Sequence, residues 1–340
     1  MNNLYRSIIF FCSAIALATQ HSVAGEKDDV AFYSERAVEL LRDAISRETA
    51  HGQGLVPAYA ESLKQVFLEA GFPPEALTIV PYGETASLVV RYEGDGSSGR
   101  EPILFSSHMD VVPADPESWL RHPFELQVDD TFFYGRGVLD NKFDVTILTT
   151  LFVWLKESGF VPNRDLVIAF TGDEESFQET VQQLARDYRD LVDAEYALVV
   201  DGGGGVLNDA NEAIQFQVGF AEKTYATFSM TAKNPGGHSS MPRADNAIYD
   251  LARAIQRLEA YTFPVETNEI TLTYFARTAP LLDNEVGEAM ARLVADQNDA
   301  EAIATLRHNP STWAPLVQPA SQPCCRADTR RMRSRAVTAW

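Results

Sequence analysis

The first half of the chain alternates short apolar runs with longer amphipathic stretches. The short runs predict buried β-strands, and apolar residues that recur every three or four positions predict α-helices. The predicted strands are residues 87–94, 102–110, 166–175 and 196–205, and the predicted helices are residues 29–46, 56–72, 142–159 and 177–192. Strands that alternate with helices are typical of a mostly parallel sheet covered by helices on both faces. We therefore predict an α/β domain.

The pattern changes near residue 218. Residues 213–234 alternate apolar and polar side chains like strands with one exposed face, and residues 243–261 form an amphipathic helical pattern. These features predict a second domain of the α+β class, with one sheet face covered. We place the first domain at residues 25–217 and the second at residues 218–316.

Residues 1–24 have the pattern of a secretory signal peptide. Arg6 lies in a short polar segment, and the apolar run that follows at residues 7–18 is too short to span a membrane. Small residues at Ser22 and Ala24 predict cleavage after Ala24; a membrane anchor or an N-terminal core helix is the alternative. We predict an exported protein, periplasmic or secreted, without membrane association after cleavage.

The composition excludes several classes of function. A formal charge of −20 over 340 residues argues against nucleic acid and anionic membrane as partners. Residues 25–323 contain no cysteine, so we expect neither a disulfide framework nor thiol chemistry there. The G-x-S-x-G motif of many serine hydrolases is also absent from the sequence.

Four stretches at or just after the predicted strands carry acidic or histidine side chains. His108 and Asp110 are two residues apart, so in extended backbone their side chains point the same way. The other three stretches contain Asp140 in a loop with glycines, an acidic run from Asp173 to Glu175, and Asp201 before four glycines. Carboxylates gathered at one sheet edge repel each other, and a pair of divalent metal ions would offset that repulsion.

Each stretch alone has an ordinary structural interpretation. An acid at a strand end is more often a helix cap or a surface group, and the glycines after Asp201 are compatible with a simple turn. The metal prediction depends on the joint arrangement of imidazole and carboxylates at successive positions, because those ligand types suit zinc.

Taken together, six segments resemble the M20 family of zinc metallopeptidases, the group of carboxypeptidases and aminoacylase-like enzymes. The segments are SSHMDVVPA, PF, YGRGVLDNK, GDEES, VVDGGGG and NPGGHSSMP, and the resemblance runs from residue 30 to residue 316. It implies a di-zinc catalytic domain with an inserted lid or dimerisation domain.

The resemblance also implies metal ligands. His108 and Asp201 would hold one zinc ion, Asp140 would bridge the two ions, and Glu175 would hold the second. Two Zn²⁺ ions are therefore the expected cofactors, with Co²⁺ or Mn²⁺ as alternatives.

Three further residues acquire catalytic roles from the resemblance. Glu174 would be the general base that takes a proton from zinc-bound water, and Asp110 would orient His108. His238, in the lid segment, would stabilise the oxyanion of the tetrahedral intermediate.

The C-terminal residues depart from the family pattern. A second lid motif and the histidine that should complete the second zinc site are absent, while residues 317–340 contain two adjacent cysteines and five arginines. Loss of one base after the Leu316 codon explains this tail: restoring a C to a synonymous coding sequence yields Gly-Gly-His-Ala-Ala-Asn-Ala-Leu-Pro, the missing motif. We predict an out-of-frame tail, two domains incomplete at the C-terminus, a weak second zinc site and impaired activity.

The predicted function is hydrolysis of an amide bond next to a free carboxylate. The substrate would be a small peptide or an N-acyl amino acid, and the residues do not distinguish a carboxypeptidase from a dipeptidase or a deacylase. A homodimer that forms through the lid domain is possible. The alternative is a catalytically inactive truncated protein that binds metal weakly or only pairs through its lid.

Overall fold

The chain forms two compact units, Met1–Gln217 and Val218–Trp340. The computed structural model describes residues 26–202, 204–207, 210, 212–219, 228–236, 240, 244–309, 312, 316 and 336–339. The predicted signal peptide and most of the predicted tail lie outside these residues, and the assignment of catalytic and lid domains stays a prediction. Within the described ranges, no helix has the length and apolar character needed to cross a bilayer.

The first unit contains most of the predicted strands and helices. Its helices are α1 (Glu26–Ser46), α2 (Val56–Glu69), α3 (Lys142–Glu157), α4 (Glu179–Asp187) and α5 (Arg189–Val192). Its strands are β1 (Leu77–Tyr82), β2 (Thr85–Tyr92), β3 (Ile103–His108), β4 (Gln127–Val128), β5 (Phe133–Tyr134), β6 (Leu166–Thr171), β7 (Tyr196–Val199), β8 (Gly204–Leu207) and β9 (Ala213–Gln217).

Five of these strands form one mixed sheet in the order β1-β2-β6-β3-β7. β3 is parallel to β6 and β7, whereas β2 is antiparallel to β1 and β6. The antiparallel β1–β2 pair is a hairpin, and β1 was not among the predicted strands. The predicted α/β class is confirmed.

Helices cover both faces of this sheet because β2 and β6 alternate their apolar side chains between two cores. One face packs against α2 and α3, and the other packs against α4. The first core includes Leu88, Val90, Ile168 and Phe170, and the second includes Val89, Val167, Ala169 and Leu184. β2 and β6 are therefore buried on both sides, whereas the edge strand β7 is exposed.

Among its described residues, the second unit has four helices, of which the last three pack around a small apolar core. The helices are α6 (Ala247–Glu259), α7 (Glu269–Thr278), α8 (Glu285–Ala295) and α9 (Ala300–Arg307), and β10 (Met230–Lys233) pairs antiparallel with β11 (Ala336–Ala339). Asn268, Asn284 and Asp299 cap α7, α8 and α9 by accepting hydrogen bonds from backbone N–H groups of the first turn. β11 belongs to the predicted out-of-frame tail, whose origin stays a prediction.

Candidate metal centre

Three parallel strands bring chemically active residues to one edge of the sheet. β6, β3 and β7 are neighbours, so the segments that follow them meet at the same edge. His108 is the last residue of β3, and Glu174 and Asp201 follow β6 and β7. Asp140 arrives differently, because it precedes α3 rather than following a strand of this sheet.

His108 is the buried centre of the arrangement. Its side chain is 2% exposed, and its Nε2 atom lies 3.0 Å from Oδ1 of Asp140 and 3.6 Å from Oδ2 of Asp201. Ligand atoms of these three residues all lie within 4.8 Å of one another. Three of the four predicted metal ligands are thus brought together.

Asp110 contacts the other side of the His108 ring and also holds the acidic run. Nδ1 of His108 lies 3.1 Å from the backbone carbonyl of Asp110 and 3.3 Å from its carboxylate. The two carboxylate oxygens accept hydrogen bonds from the backbone N–H groups of Glu174 and Glu175, at 3.1 Å and 3.0 Å. In a neutral ring, an Nδ1–H facing Asp110 leaves the Nε2 lone pair directed at Asp140 and Asp201.

Several carboxylates lie near the His108 imidazole, and their charges shift the pKa values of the centre. Burial lowers the pKa of His108, but Asp110, Asp201 and Asp140 outweigh that effect and raise it to about 9. The pKa values of Glu174 and Glu175 are both raised, chiefly by burial and further by neighbouring carboxylates. A positive charge at this position would relieve the repulsion.

Asp144, on the first turn of α3, belongs to the same electrostatic environment. The pKa of its carboxyl is raised to about 7, chiefly by burial; the charges of Asp201 and Asp140 contribute to the rise, and His108 opposes it. The sequence pattern did not single out this residue.

Two further residues of the predicted stretches are Asp173, which has a structural role, and His238. Asp173 is buried and accepts hydrogen bonds from the backbone N–H groups of Glu179 and Thr180, so it stabilises the start of α4. His238 lies outside the described residues, and its role in oxyanion stabilisation stays a prediction.

These residues fit a divalent metal ion. The donor set is one imidazole nitrogen and two carboxylate oxygens within mutual reach, a combination that zinc accepts. Asp110 faces the non-ligating nitrogen of His108, which is the usual arrangement behind a metal-bound histidine. Among the described residues, the group within reach does not include Glu175, so its part in a second metal site stays a prediction.

Two buried polar residues that the sequence did not indicate support this centre. The Asn141 side chain joins Ser107 to Val200, and Lys142 donates through Nζ to the backbone carbonyls of Ala44 and Arg47 at the end of α1. Both side chains are fully buried. Both residues close the segment YGRGVLDNK, but the resemblance assigned them no role.

We expect Zn²⁺ to stabilise the folded chain through His108. With free Zn²⁺ at about 100 times its Kd, the free energy of unfolding should rise by about 2.7 kcal/mol, and a chelator should reverse the gain. His108→Ala should abolish the effect in a thermal or urea titration. His308→Ala is the matched control, because His308 is exposed and its Nδ1 lies 2.7 Å from the backbone carbonyl of Ala304 in α9; equal loss in both variants would contradict the site.

The chain is similar to known proteins over much of its length. The model of peptidase family M20/M25/M40 matches residues 104–320. The N-fatty-acyl-amino acid synthase/hydrolase PM20D1.1 of Danio rerio is 34% identical over 172 residues, which cover 49% of this chain and 33% of that protein. Succinyl-diaminopimelate desuccinylase 1 of Ruegeria sp. (strain TM1040) is 28% identical over 249 residues, 73% of this chain and 61% of that protein.

A solved structure supports the fold. The M20 family metallo-carboxypeptidase Sso-CP2 from Sulfolobus solfataricus matches with a TM-score of 0.54 and 16% identity, over 89% of this chain and 69% of that one. At this identity the likeness concerns the fold alone. In the sequence comparisons the chain spans from about a third to about three fifths of the length of its curated relatives.

Proposed function

Because the chain belongs to peptidase family M20/M25/M40, we propose that it is a metal-dependent hydrolase. The bond cleaved is an amide next to a free carboxylate, in a small peptide or an N-acyl amino acid. The observation that carries this proposal is the group of His108, Asp140 and Asp201, with Asp110 contacting His108 on one side and Glu174 on the other.

Two zinc ions are the proposed cofactors, with Co²⁺ or Mn²⁺ as alternatives. His108 and Asp201 would hold one ion, Glu175 would hold the other, and Asp140 would serve both. Bound divalent ions polarise a substrate carbonyl and lower the pKa of water. The residue types agree with this assignment, since carboxylate and imidazole are both good zinc ligands.

Glu174 is the proposed general base. Its backbone N–H donates to Asp110, which also contacts His108, and the charges of His108 and Asp201 act on the pKa of its carboxyl. Burial is the main cause that raises this pKa, which makes the carboxylate a better proton acceptor. Gln178 donates from Nε2 to Oε1 of Glu174 at 2.9 Å and orients it. Glu174 takes a proton from water and later delivers one to the leaving amine, while His238 stabilises the oxyanion.

The names of the relatives guide the choice of substrates for the test. One relative is named for N-fatty-acyl-amino acids and another for succinyl-diaminopimelate. The 340-residue chain with Zn²⁺ should be assayed against dipeptides, N-acyl amino acids and the same compounds with the carboxylate converted to an amide. We expect turnover of the free acids and a kcat/KM about 100-fold or more lower for the amides. Equal turnover of both forms would contradict recognition of the carboxylate.

A non-catalytic, metal-binding protein is the second candidate. It is favoured by one observation: among the described residues, only three side chains form the ligand group, and Glu175 is not one of them. Zinc bound at His108 with no turnover of any amide in the panel would support this candidate over the first.

We also propose that the chain is exported and forms a homodimer. Residues 1–24 direct the chain out of the cytoplasm, and the second unit pairs two copies. N-terminal sequencing of the protein from the cell envelope and light scattering of the purified chain test these two points separately.

A further inference from the structure

One buried side chain links the three segments that carry the candidate ligands. Asn141 follows Asp140 directly and is fully buried. Its Oδ1 accepts a 2.6 Å hydrogen bond from the hydroxyl of Ser107, and its Nδ2 donates a 3.0 Å hydrogen bond to the carbonyl of Val200. Ser107 immediately precedes His108, and Val200 immediately precedes Asp201. The amide therefore touches the neighbour of each of the other two ligands.

The other contacts in this region show which connection depends on Asn141. The backbone N–H of Val200 donates to the carbonyl of Ser106 at 2.7 Å, so the end of β7 is already fixed against β3. The segment that carries Asp140 is not part of that sheet. Apart from the contact of Asp140 with His108 inside the candidate centre, the Asn141 amide is, among the described contacts, the side chain that joins this segment to the ends of both β3 and β7.

Lys142 joins the same segment to α1. Its ammonium group donates to the carbonyls of Ala44 and Arg47 at the end of α1. That bond fixes the start of α3 against α1, whereas the Asn141 bonds fix it against the sheet edge. Of these two connections, the one through Asn141 reaches Ser107 and Val200, the residues beside His108 and Asp201.

We propose that Asn141 is a positioning residue that fixes Asp140 relative to His108 and Asp201 and thereby sets the affinity of the centre for divalent metal. The inference rests on the proposed metal centre, but it does not depend on substrate or turnover. A planar amide is suited to this task because one end accepts and the other donates, in fixed relative directions. Groups behind the ligands of a metal site commonly change its affinity by about 10- to 100-fold.

The test compares metal affinity with the stability of the metal-free chain. Asn141→Ala should weaken Zn²⁺ binding by about 10- to 100-fold in a chelator competition and should change the visible absorption of bound Co²⁺. Ser107→Ala removes one of the two bonds and should weaken binding less, in the same direction. Because the two residues share a hydrogen bond, the double variant should lose less than the product of the single losses.

Thr149→Val is the matched control. Thr149 is buried in α3, and its hydroxyl bonds only to the carbonyl of Val145 in the same helix, at 2.7 Å. This change should lower the thermal stability of the metal-free chain, yet leave the Zn²⁺ Kd within about twofold and the Co²⁺ spectrum unchanged.

Three outcomes would overturn the inference. The first is an Asn141→Ala chain that loses stability but keeps the Zn²⁺ affinity and Co²⁺ spectrum of the unaltered protein, as Thr149→Val should. If Asn141→Ala fails to fold, Ser107→Ala decides, and unchanged affinity in that variant is the second. The third is an unaltered chain that binds neither ion, since no centre then exists to position. Absence of turnover with intact metal binding would refute the proposed function and leave this inference standing.

Discussion

Glu174→Gln should lower turnover by about 100- to 10,000-fold while the chain keeps its metal. That range is the usual contribution of a general base. Glutamine has the size of glutamate and can still accept the hydrogen bond from Gln178, which now binds Oε1 at 2.9 Å. It cannot accept a proton, however. The candidate ligands His108, Asp140 and Asp201 are unchanged, so the Zn²⁺ Kd should stay within a few-fold. Steady-state kinetics on the best substrate and a chelator competition measure the two quantities.

The control for this prediction is Glu61→Gln. Glu61 is an exposed residue of α2 whose carboxylate bonds to Gln65 at 3.1 Å, so the same chemical change there should leave turnover unaltered. If Glu174→Gln retains more than about a tenth of the activity, Glu174 is not the general base. If Glu174→Gln loses metal together with activity, Glu174 contributes to metal binding, and its assignment as the general base is wrong.

The sequence named Asp140 as a candidate ligand together with His108 and Asp201, but the strand pattern accounts for the positions of only some residues of the centre. His108, Glu174 and Asp201 follow strands whose apolar runs are easy to recognise, and parallel strands bring such residues to one edge by geometry alone. Asp140 does not follow a strand of the sheet. Its proximity to His108 depends on the buried bonds of Asn141 and Lys142, and no periodicity indicates which polar side chains will be buried.

The acidic run after β6 illustrates a second limit. Asp173, Glu174 and Glu175 are chemically similar in the sequence, yet Asp173 points to the backbone of α4 while Asp110 binds the backbone of the other two. The residue before the run, Gly172, also packs closely, since a Cβ there would lie 2.4 Å from the carbonyl oxygen of Ala86. That close approach is a tertiary contact, and the sequence alone does not reveal it.

The hairpin of β1 and β2 was predicted only in part, for a related reason. β2 is an almost continuous apolar run and was recognised, whereas β1 contains Pro81 and exposes its last two residues. Its pairing with β2 places it at the edge of the sheet, where proline is tolerated. An edge strand with one exposed end carries too weak a pattern to separate from a loop.

Asp110→Ala should damage stability and metal binding together. The Asp110 side chain is buried, and it accepts hydrogen bonds from the backbone N–H groups of Glu174 and Glu175 while facing Nδ1 of His108. Each buried N–H left without a partner costs about 1–3 kcal/mol, so the free energy of unfolding of the metal-free chain should fall by about 2–6 kcal/mol. Loss of the group that orients His108 should also weaken Zn²⁺ binding by about 10- to 100-fold.

Asp173→Ala separates these two effects. Asp173 is buried to a similar degree and also accepts two backbone N–H groups, but they belong to Glu179 and Thr180 at the start of α4. Urea denaturation should therefore show a comparable loss of stability in both variants, whereas chelator competition should show weakened Zn²⁺ binding only for Asp110→Ala. If Asp110→Ala binds Zn²⁺ as tightly as the unaltered chain does, Asp110 supports the fold alone. Equal weakening would mean that metal affinity follows the stability of the whole edge of the sheet rather than the orientation of His108.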